Sequence, residues 1–226
     1  MPRQNRVTPW GDLVATPARG LFMGNRGRLH DAAGQLTGRS HTTRAWLICL
    51  LEFNGRRRTL MAPGRYTELF FLDEPTALAA GHRPCFECRR AEHMAFKAAW
   101  LAGNGRLPGA AAGRAVSIAA IDDVLHAERM ARRADPGAHP MDVDALPDGT
   151  ILLDTTMLLD PEDGAAVPAA WLVWGDHLWR WTPLGYAQPR PRPRGVRRPV
   201  LTPPSVVATL AAGWRPAVHP SAGSAD

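Results

Sequence analysis

Lysine is almost missing from this chain of 226 residues. Lys97 is the single lysine among 27 basic side chains, and the rest are arginine. Long apolar runs are missing as well. No stretch approaches the roughly eighteen apolar residues a spanning helix needs, so no membrane segment is expected. The opening Met1-Pro-Arg-Gln-Asn-Arg6 has no apolar core behind it, which argues against a secretory signal and for a cytoplasmic protein. Cysteine is scarce and odd in number, at three, which suits a metal or thiol site better than a disulfide framework. No paired carboxylates, Ser-His-Asp arrangement or histidine-rich nuclease motif stands at a recognisable spacing. The sequence therefore names no reaction, and Glu68, Asp73, Glu87 and Glu128 stay unranked as candidate bases.

The hydrophobic share of 45% is that of an ordinary globular protein. Its charge is unevenly distributed. Residues 1–68 carry 11 basic and 4 acidic side chains, residues 69–186 carry 10 and 16, and residues 187–226 carry 6 and 1. A basic front and a basic tail thus flank an acidic middle. Guanidinium groups grip phosphates in bidentate fashion and stack on bases, which points to DNA or RNA as partner. A GC-rich coding bias accounts for an arginine excess too, but not for its segregation.

Cys85-Phe86-Glu87-Cys88 is the chemically loaded motif. Two cysteines separated by two residues can hold one soft metal ion from a single tight turn. An apolar run, Leu69 to Leu72, precedes them. Asp73 then reads as an N-cap and Pro75 as a first-turn residue of a short helix, with Gly81 as its stop. A redox pair is the alternative, but it normally belongs to a thioredoxin-like β-α-β pattern. Zinc in a structural site takes four ligands. Cys49, on the preceding apolar run, is the natural third, or else a buried small hydrophobe. The fourth stays open among His41, His82, His93 and His126. Three protein ligands plus water would leave a catalytic site.

The stretch Leu69–Arg90 resembles the metal-binding module of the Ada DNA-repair family. There a strand and a short helix ending in Ala-Gly-Phe/Tyr-Arg-Pro-Cys lead into a Cys-x-x-Cys with basic residues. The matching positions are Ala80, Gly81, Arg83, Pro84, Cys85, Cys88 and Arg89. The family carries a second cysteine pair upstream, one member of which accepts a methyl group from DNA. Here that region reads Asn54-Gly-Arg-Arg-Arg-Thr59. The resemblance implies a zinc knuckle beside a basic surface and does not imply methyl transfer.

Along the chain, Gly20–His30 reads as a glycine-rich loop. Its amides, with Arg26 and Arg28, either approach an anion or are simply solvated. Residues 44–53 read as a buried strand, followed by the turn signal Asn54-Gly55 and the cluster Arg56, Arg57, Arg58. Arg89 to Leu101 is a helix burying Phe96 and Trp100, with Gly103 as its stop. Residues 102–114 read as a Gly- and Ala-rich connector. Ser117 to Arg133 is a second helix, with Ile118, Ile121 and Leu125 inward. Asp122, His126, Arg129 and Arg133 form a ladder expected to be a solvated salt-bridge face. Ile151–Leu153 is a strand, and Trp171–Trp181 forms a hairpin whose tryptophans are core or, alternatively, a stacking platform. Gln188–Arg194 is a Pro-Arg repeat of polyproline II character, expected to be an accessory spacer and a candidate protein-binding segment. Leu-Ala-Ala-Gly-x-Arg-Pro occurs at 78–84 and again at 210–216, as an internal repeat or as two helices with the same stop. Residues 217–226 read as disordered.

The expectation is an α+β protein. A zinc-knuckle region at 1–114 and a Trp-rich antiparallel β region at 115–226 pack as one unit. Its metal ligands are Cys49, Cys85 and Cys88. Its phosphate contacts are Arg26, Arg28, Arg56, Arg57, Arg58, Arg89 and Arg90. A metal-dependent hydrolase or nucleic-acid-modifying enzyme at the same cysteines is the alternative.

Overall fold

The computed structural model describes residues 1–56, 59–105, 116–137, 139–154 and 168–223. Among these, the chain forms a mixed α+β architecture of three sheets and four α-helices. The first sheet is built from β1 (Gln4–Val7), β2 (Leu13–Ala15), β3 (Phe22–Asn25), β4 (Leu47–Cys49), β5 (Leu69–Phe71) and β6 (Arg83–Pro84). Its spatial order is β2-β1-β5-β3-β4-β6, with β1–β5 and β4–β6 parallel and the other pairs antiparallel. Helix α1 (Glu74–Ala79) bridges β5 and β6. Helices α2 (Arg90–Asn104) and α3 (Ile118–Ala134) follow, then β7 (Pro140–Asp142). A four-stranded antiparallel sheet comprises β8 (Ile151–Asp154), β9 (Ala169–Trp174), β10 (His177–Thr182) and β11 (Gly185–Pro191), in the order β11-β10-β9-β8. Strand β12 (Arg197–Pro199) pairs with β7, and α4 (Pro204–Ala211) comes last.

The larger core joins sheet residues Ile48, Leu69 and Phe71 to Phe96 and Trp100 of α2, Ile121 and Leu125 of α3, and Leu210 of α4. The two halves of the chain therefore share one core. In the four-stranded sheet the period of two is visible on both faces. Ile151, Leu153, Ala170 and Leu172 pack toward Leu72 and Ala79, while Leu152, Trp171 and Val173 pack toward Val143, Val200 and Val207. Both faces are covered, which is why β8 reads as an unbroken apolar run. Trp171 is fully buried, and Trp181 donates its indole N–H to Thr76 Oγ1 at 3.0 Å.

The α1 segment follows its local signals. Asp73 caps the helix by accepting from Thr76 N, and Pro75 lies in the first turn. Gly81 (φ +87) closes it, with Gly81 N–H donating to Leu78 O and His82 N–H to Ala77 O. The same pair of bonds recurs at α4, where Gly213 (φ +103) donates to Leu210 O and Trp214 to Thr209 O. The Leu-Ala-Ala-Gly-x-Arg-Pro echo is thus one helix-ending device used twice, each time turning a large ring, His82 or Trp214, inward.

Several expectations change. Gly20–His30 is not a loop, because β3 runs through it. Gly24 lies mid-sheet, where a Cβ would stand 1.9 Å from Leu47 O. The strand expected over 44–53 is confined to Leu47–Cys49. Asn54 (φ +52) and Gly55 (φ +64) make the expected turn, but the described residues between it and β5 form no strand. Gly103 does not stop α2. It sits inside the helix, where a Cβ would stand 2.2 Å from Ala208 O, so its bareness lets α4 lie against α2; Gly105 (φ +66) makes the stop. The ladder on α3 is not a solvated face, since Asp122 and Arg129 are buried against the β6 side of the first sheet. Residues 217–223 are ordered: Ala217 N–H donates to Glu74 Oε2 and His219 N–H to Asp73 Oδ2, so two buried carboxylates anchor this segment. Residues 106–114 of the expected connector lie outside the described residues.

The Pro-Arg repeat is not a spacer. It forms the outer part of β11 and leads to β12. Strand β11 is an edge strand, where proline's missing N–H costs no ladder bond. The arginines turn back onto the protein. Arg190 lies 5.1 Å over the Trp171 ring, Arg192 donates to Val143 O at 2.9 Å and to Leu146 O, and Arg198 pairs with buried Asp154 at 2.9 Å. Deleting residues 188–195 is accordingly expected to lower stability by about 3 kcal/mol or more, read from urea unfolding. A deletion protein that melts within about 3 °C of the intact chain would restore the spacer reading.

Candidate metal centre

The cysteines meet because of one strand pairing. β4 and β6 run parallel with Ile48 opposite Pro84, and Cys85 N–H donates to Ile48 O at 2.9 Å. Cys49 and Cys85 are each one residue further along, so their side chains leave the sheet edge together. The turn Cys85–Cys88 then brings the third thiol back. All three are free thiols, and their sulfurs lie within 4.8 Å of one another. Sulfurs bound tetrahedrally at about 2.3 Å stand roughly 3.8 Å apart, so this cluster needs to close by less than about 1 Å to hold one ion. Met23, Leu47 and Phe70 pack around it.

Backbone donors favour thiolates here. Cys88 Sγ accepts from Leu50 N–H at 3.4 Å, and the turn amides of Cys88 and Glu87 favour the charged form of Cys85. The Cys49 thiol's hydrogen bond pulls Cys85 down to about 5, and those backbone donors add to the effect against its burial. The Cys49 contact likewise lowers Cys88, with Leu50 N–H helping. Cys49 is pushed up by its hydrogen bonds to Cys85 and Cys88 and by burial. The turn amides and the Leu50 N–H thus favour negative charge on the cluster, which is the form that binds a metal ion.

Two buried ion pairs fix the segment that bears the knuckle. Arg83 forks onto Asp122 of α3, with both N–O distances at 2.7 Å, and its Nη1 donates to Pro84 O at 3.2 Å. Arg89 pairs with Glu74 of α1 at 2.7 Å and lies 4.6 Å over the Phe22 ring. His93 Nδ1 is 3.0 Å from Pro84 O.

None of the four histidine candidates joins the thiol cluster among the described residues. His82 is buried, donating from Nδ1 to Leu47 O and accepting at Nε2 from Arg26 Nε; burial and Arg26 hold it well below the usual histidine range. His41 and His126 meet edge to face at 5.1 Å. Of the carboxylate candidates, Glu68 accepts from Met61 N–H, Asp73 caps α1, and Glu128 accepts from Ser205. Glu87 stays on the knuckle, paired with Arg56 at 2.5 Å.

The arginines separate into two groups. Arg56 and Arg90 are exposed on the knuckle itself, Arg90 lying 4.8 Å over the exposed Phe86 ring, and Arg28 is exposed elsewhere. Arg89 and Arg26 are buried, which corrects their assignment as surface phosphate contacts: Arg89's charge is taken by Glu74, and Arg26 points inward. Arg57 and Arg58 lie outside the described residues. The residues missed from sequence are Arg83, Asp122, Arg129 and Arg132. Asp122 and Arg129 stand in the periodic ladder of α3, but the β6 residue Arg83 and the element opposite that ladder have no local signal. No helix is long and apolar enough to cross a membrane among the described residues. No family model, curated protein or solved structure matches the chain.

Proposed function

We propose that the chain is a zinc protein that binds nucleic acid through arginines beside the metal. The observation that carries this reading is the gathering of Cys49, Cys85 and Cys88 within 4.8 Å. Three thiolate donors on one tight turn and a neighbouring strand suit a soft, tetrahedral ion, and zinc is the redox-inert choice. Cys49, Cys85 and Cys88 would hold it. The ion would supply a rigid staple there and, at a fourth position, a Lewis-acid site. Above the cysteines, Arg56, Arg90 and the exposed Phe86 form a cationic, aromatic surface of the kind that meets phosphates and unstacked bases. The resemblance of Leu69–Arg90 to the Ada metal-binding module points the same way.

Arg56→Ala combined with Arg90→Ala is expected to weaken binding to DNA of any sequence alike. It should also flatten the dependence of log affinity on log salt by roughly 0.9 for each duplex phosphate the variant no longer neutralises. Fluorescence anisotropy across a salt series reads both. Unchanged affinity and slope would remove these arginines from the interface.

The number of donors favours a second reading. Three protein ligands gather among the described residues; a site of three leaves one coordination position open, as in a catalytic site, and a metal-dependent hydrolase or nucleic-acid-modifying enzyme would use it. Cobalt substitution separates the two. A visible spectrum that shifts on adding azide indicates an exchangeable position, whereas an indifferent spectrum indicates a closed structural site.

A further inference from the structure

Away from the cysteines lies a cavity of about 210 Å³ lined by Trp10, Gly11, Arg26, Trp46, Arg129 and Arg132, with Asp12 and Arg133 also on its wall. On the same measure a single water needs roughly 15 Å³, so the space takes a much larger guest. Arg26 and Arg129 are each 2% exposed. Among the described residues no carboxylate forms an ion pair with Arg26, Arg129 or Arg132, in contrast to Arg83 and Arg89 nearby. Their N–H groups meet neutral acceptors instead. Arg26 donates to His82 Nε2 and Gly11 O, Arg129 to Gly81 O and Arg44 O, and Arg132 to Ala79 O, Leu201 O and Trp10 O. Such bonds satisfy donors without placing a carboxylate in contact, and Asp12, Asp122 and Glu128 act on these charges only from a distance.

Two donors are left over: Arg26 Nη2 and Arg129 Nε are buried and without a hydrogen-bond partner among the described residues. The guanidinium groups converge. A Cβ placed on Gly11 would stand 3.7 Å from Arg26 Nη2 and 3.8 Å from Arg132 Nη2. The Trp46 ring receives Arg26 at 4.0 Å and Arg129 at 4.2 Å, which orients both forks. Burial, reinforced by Arg129 and Arg132, pushes Arg26 down to about 9. Burial and the fields of Arg129 and Arg26 also hold the neighbouring His41 below its ordinary range. A buried charge without a partner is costly, and several of one sign in a cavity call for a counter-ion. Asp12 supplies one negative charge at an exposed position against four arginines, so a dianion fits better than a monoanion.

We infer that this cavity is a binding site for a phosphomonoester, its phosphate seated between Arg26, Arg129 and Arg132 and its organic part against Trp10. Arginine forks match phosphate oxygens two at a time, and Arg133 at the exposed edge adds charge on the way in. The phosphate belongs either to a free small molecule or to the 5′ end of a nucleic-acid strand. The site goes beyond the metal-centred reading above, since it uses none of the cysteines or the knuckle arginines.

The test is calorimetry and thermal melting of the full chain with inorganic phosphate, adenosine monophosphate, and an oligonucleotide with or without a 5′-phosphate. Sodium chloride at matched ionic strength is the control. Saturable binding and a raised melting temperature with adenosine monophosphate are expected, weaker with inorganic phosphate and absent with chloride. Preference for the 5′-phosphorylated oligonucleotide over adenosine monophosphate would assign the strand end as the source; the reverse would assign a free small molecule. Arg26→Met should abolish binding. If that variant does not fold, Arg133→Ala, at an exposed position, should weaken binding by about tenfold through removal of one charge-assisted hydrogen bond. Absence of binding by every phosphate probe, or affinity unchanged in the foldable variant, overturns the site. Arg56→Ala/Arg90→Ala should leave adenosine monophosphate binding intact, so failure here and failure of the nucleic-acid surface are separable.

Discussion

Purified protein is expected to contain one zinc per chain, and Cys85→Ser is expected to lose it together with a large share of the fold's stability. Cys85 is the hinge of the cluster. Its backbone N–H extends the β4–β6 pairing, two turn amides favour its thiolate, and its sulfur lies within 4.8 Å of those of Cys49 and Cys88. Structural zinc binds to folded peptides with apparent free energies of about 10–16 kcal/mol at neutral pH, and that energy becomes folding energy when the unfolded chain cannot assemble the site. A site of the three ligands found among the described residues reduces the figure. Even so, a loss of several kcal/mol is comparable to the whole stability of a typical domain. Elemental analysis gives the stoichiometry, and melting with and without a strong chelator gives the stability. Metal-free protein with an unchanged melting temperature would falsify the metal centre. Cys88→Ser should follow Cys85→Ser, because Cys88 also has an amide, Leu50 N–H, oriented at its sulfur.

Asp122→Ala is expected to cost about 3–5 kcal/mol, measured by urea unfolding, because it leaves Arg83 charged and alone in the interior. Both partners are nearly inaccessible, and the pair is bidentate. Arg83 also holds Pro84 O, so the variant should loosen the approach to the knuckle and weaken metal retention. Replacing both partners, as Arg83→Met with Asp122→Leu, is expected to recover most of the loss, since the cost comes from the orphaned charge more than from the missing attraction. A loss below about 1 kcal/mol in Asp122→Ala would show that water reaches Arg83 and that the pair is effectively a surface one.

How legible these features were depended on their range. Asp73, Pro75 and Gly81 place α1 because capping and stopping act within a few residues, and the same local chemistry closes α4 at Gly213. The Cys-x-x-Cys turn is local for the same reason. The hairpin β9–β10 follows from alternation across a Gly175-Asp176 turn, which depends on neighbours in the sequence. Cys49 was nameable as a partner only by type; what brings it to Cys85 is a parallel pairing of β4 with β6, 36 residues apart, which no local pattern encodes.

The arginines show the limit most clearly. Composition determines that the chain is rich in guanidinium groups and how they are segregated along it. It does not determine which of them face water, because an arginine has the same helix preference on either side of α3. Burial is decided by what the tertiary structure sets opposite each one. Arg89 meets Glu74 and Arg83 meets Asp122, so those charges are neutralised inside the protein. Arg26 and Arg129 meet Trp46 and backbone carbonyls, so among the described residues theirs have no carboxylate in direct contact. In the Pro-Arg segment, too, the residues alone read as extended and solvated. A vacant sheet edge at β10 makes a strand of it, since an edge tolerates proline and the carbonyls of Val143 and Leu146 receive Arg192.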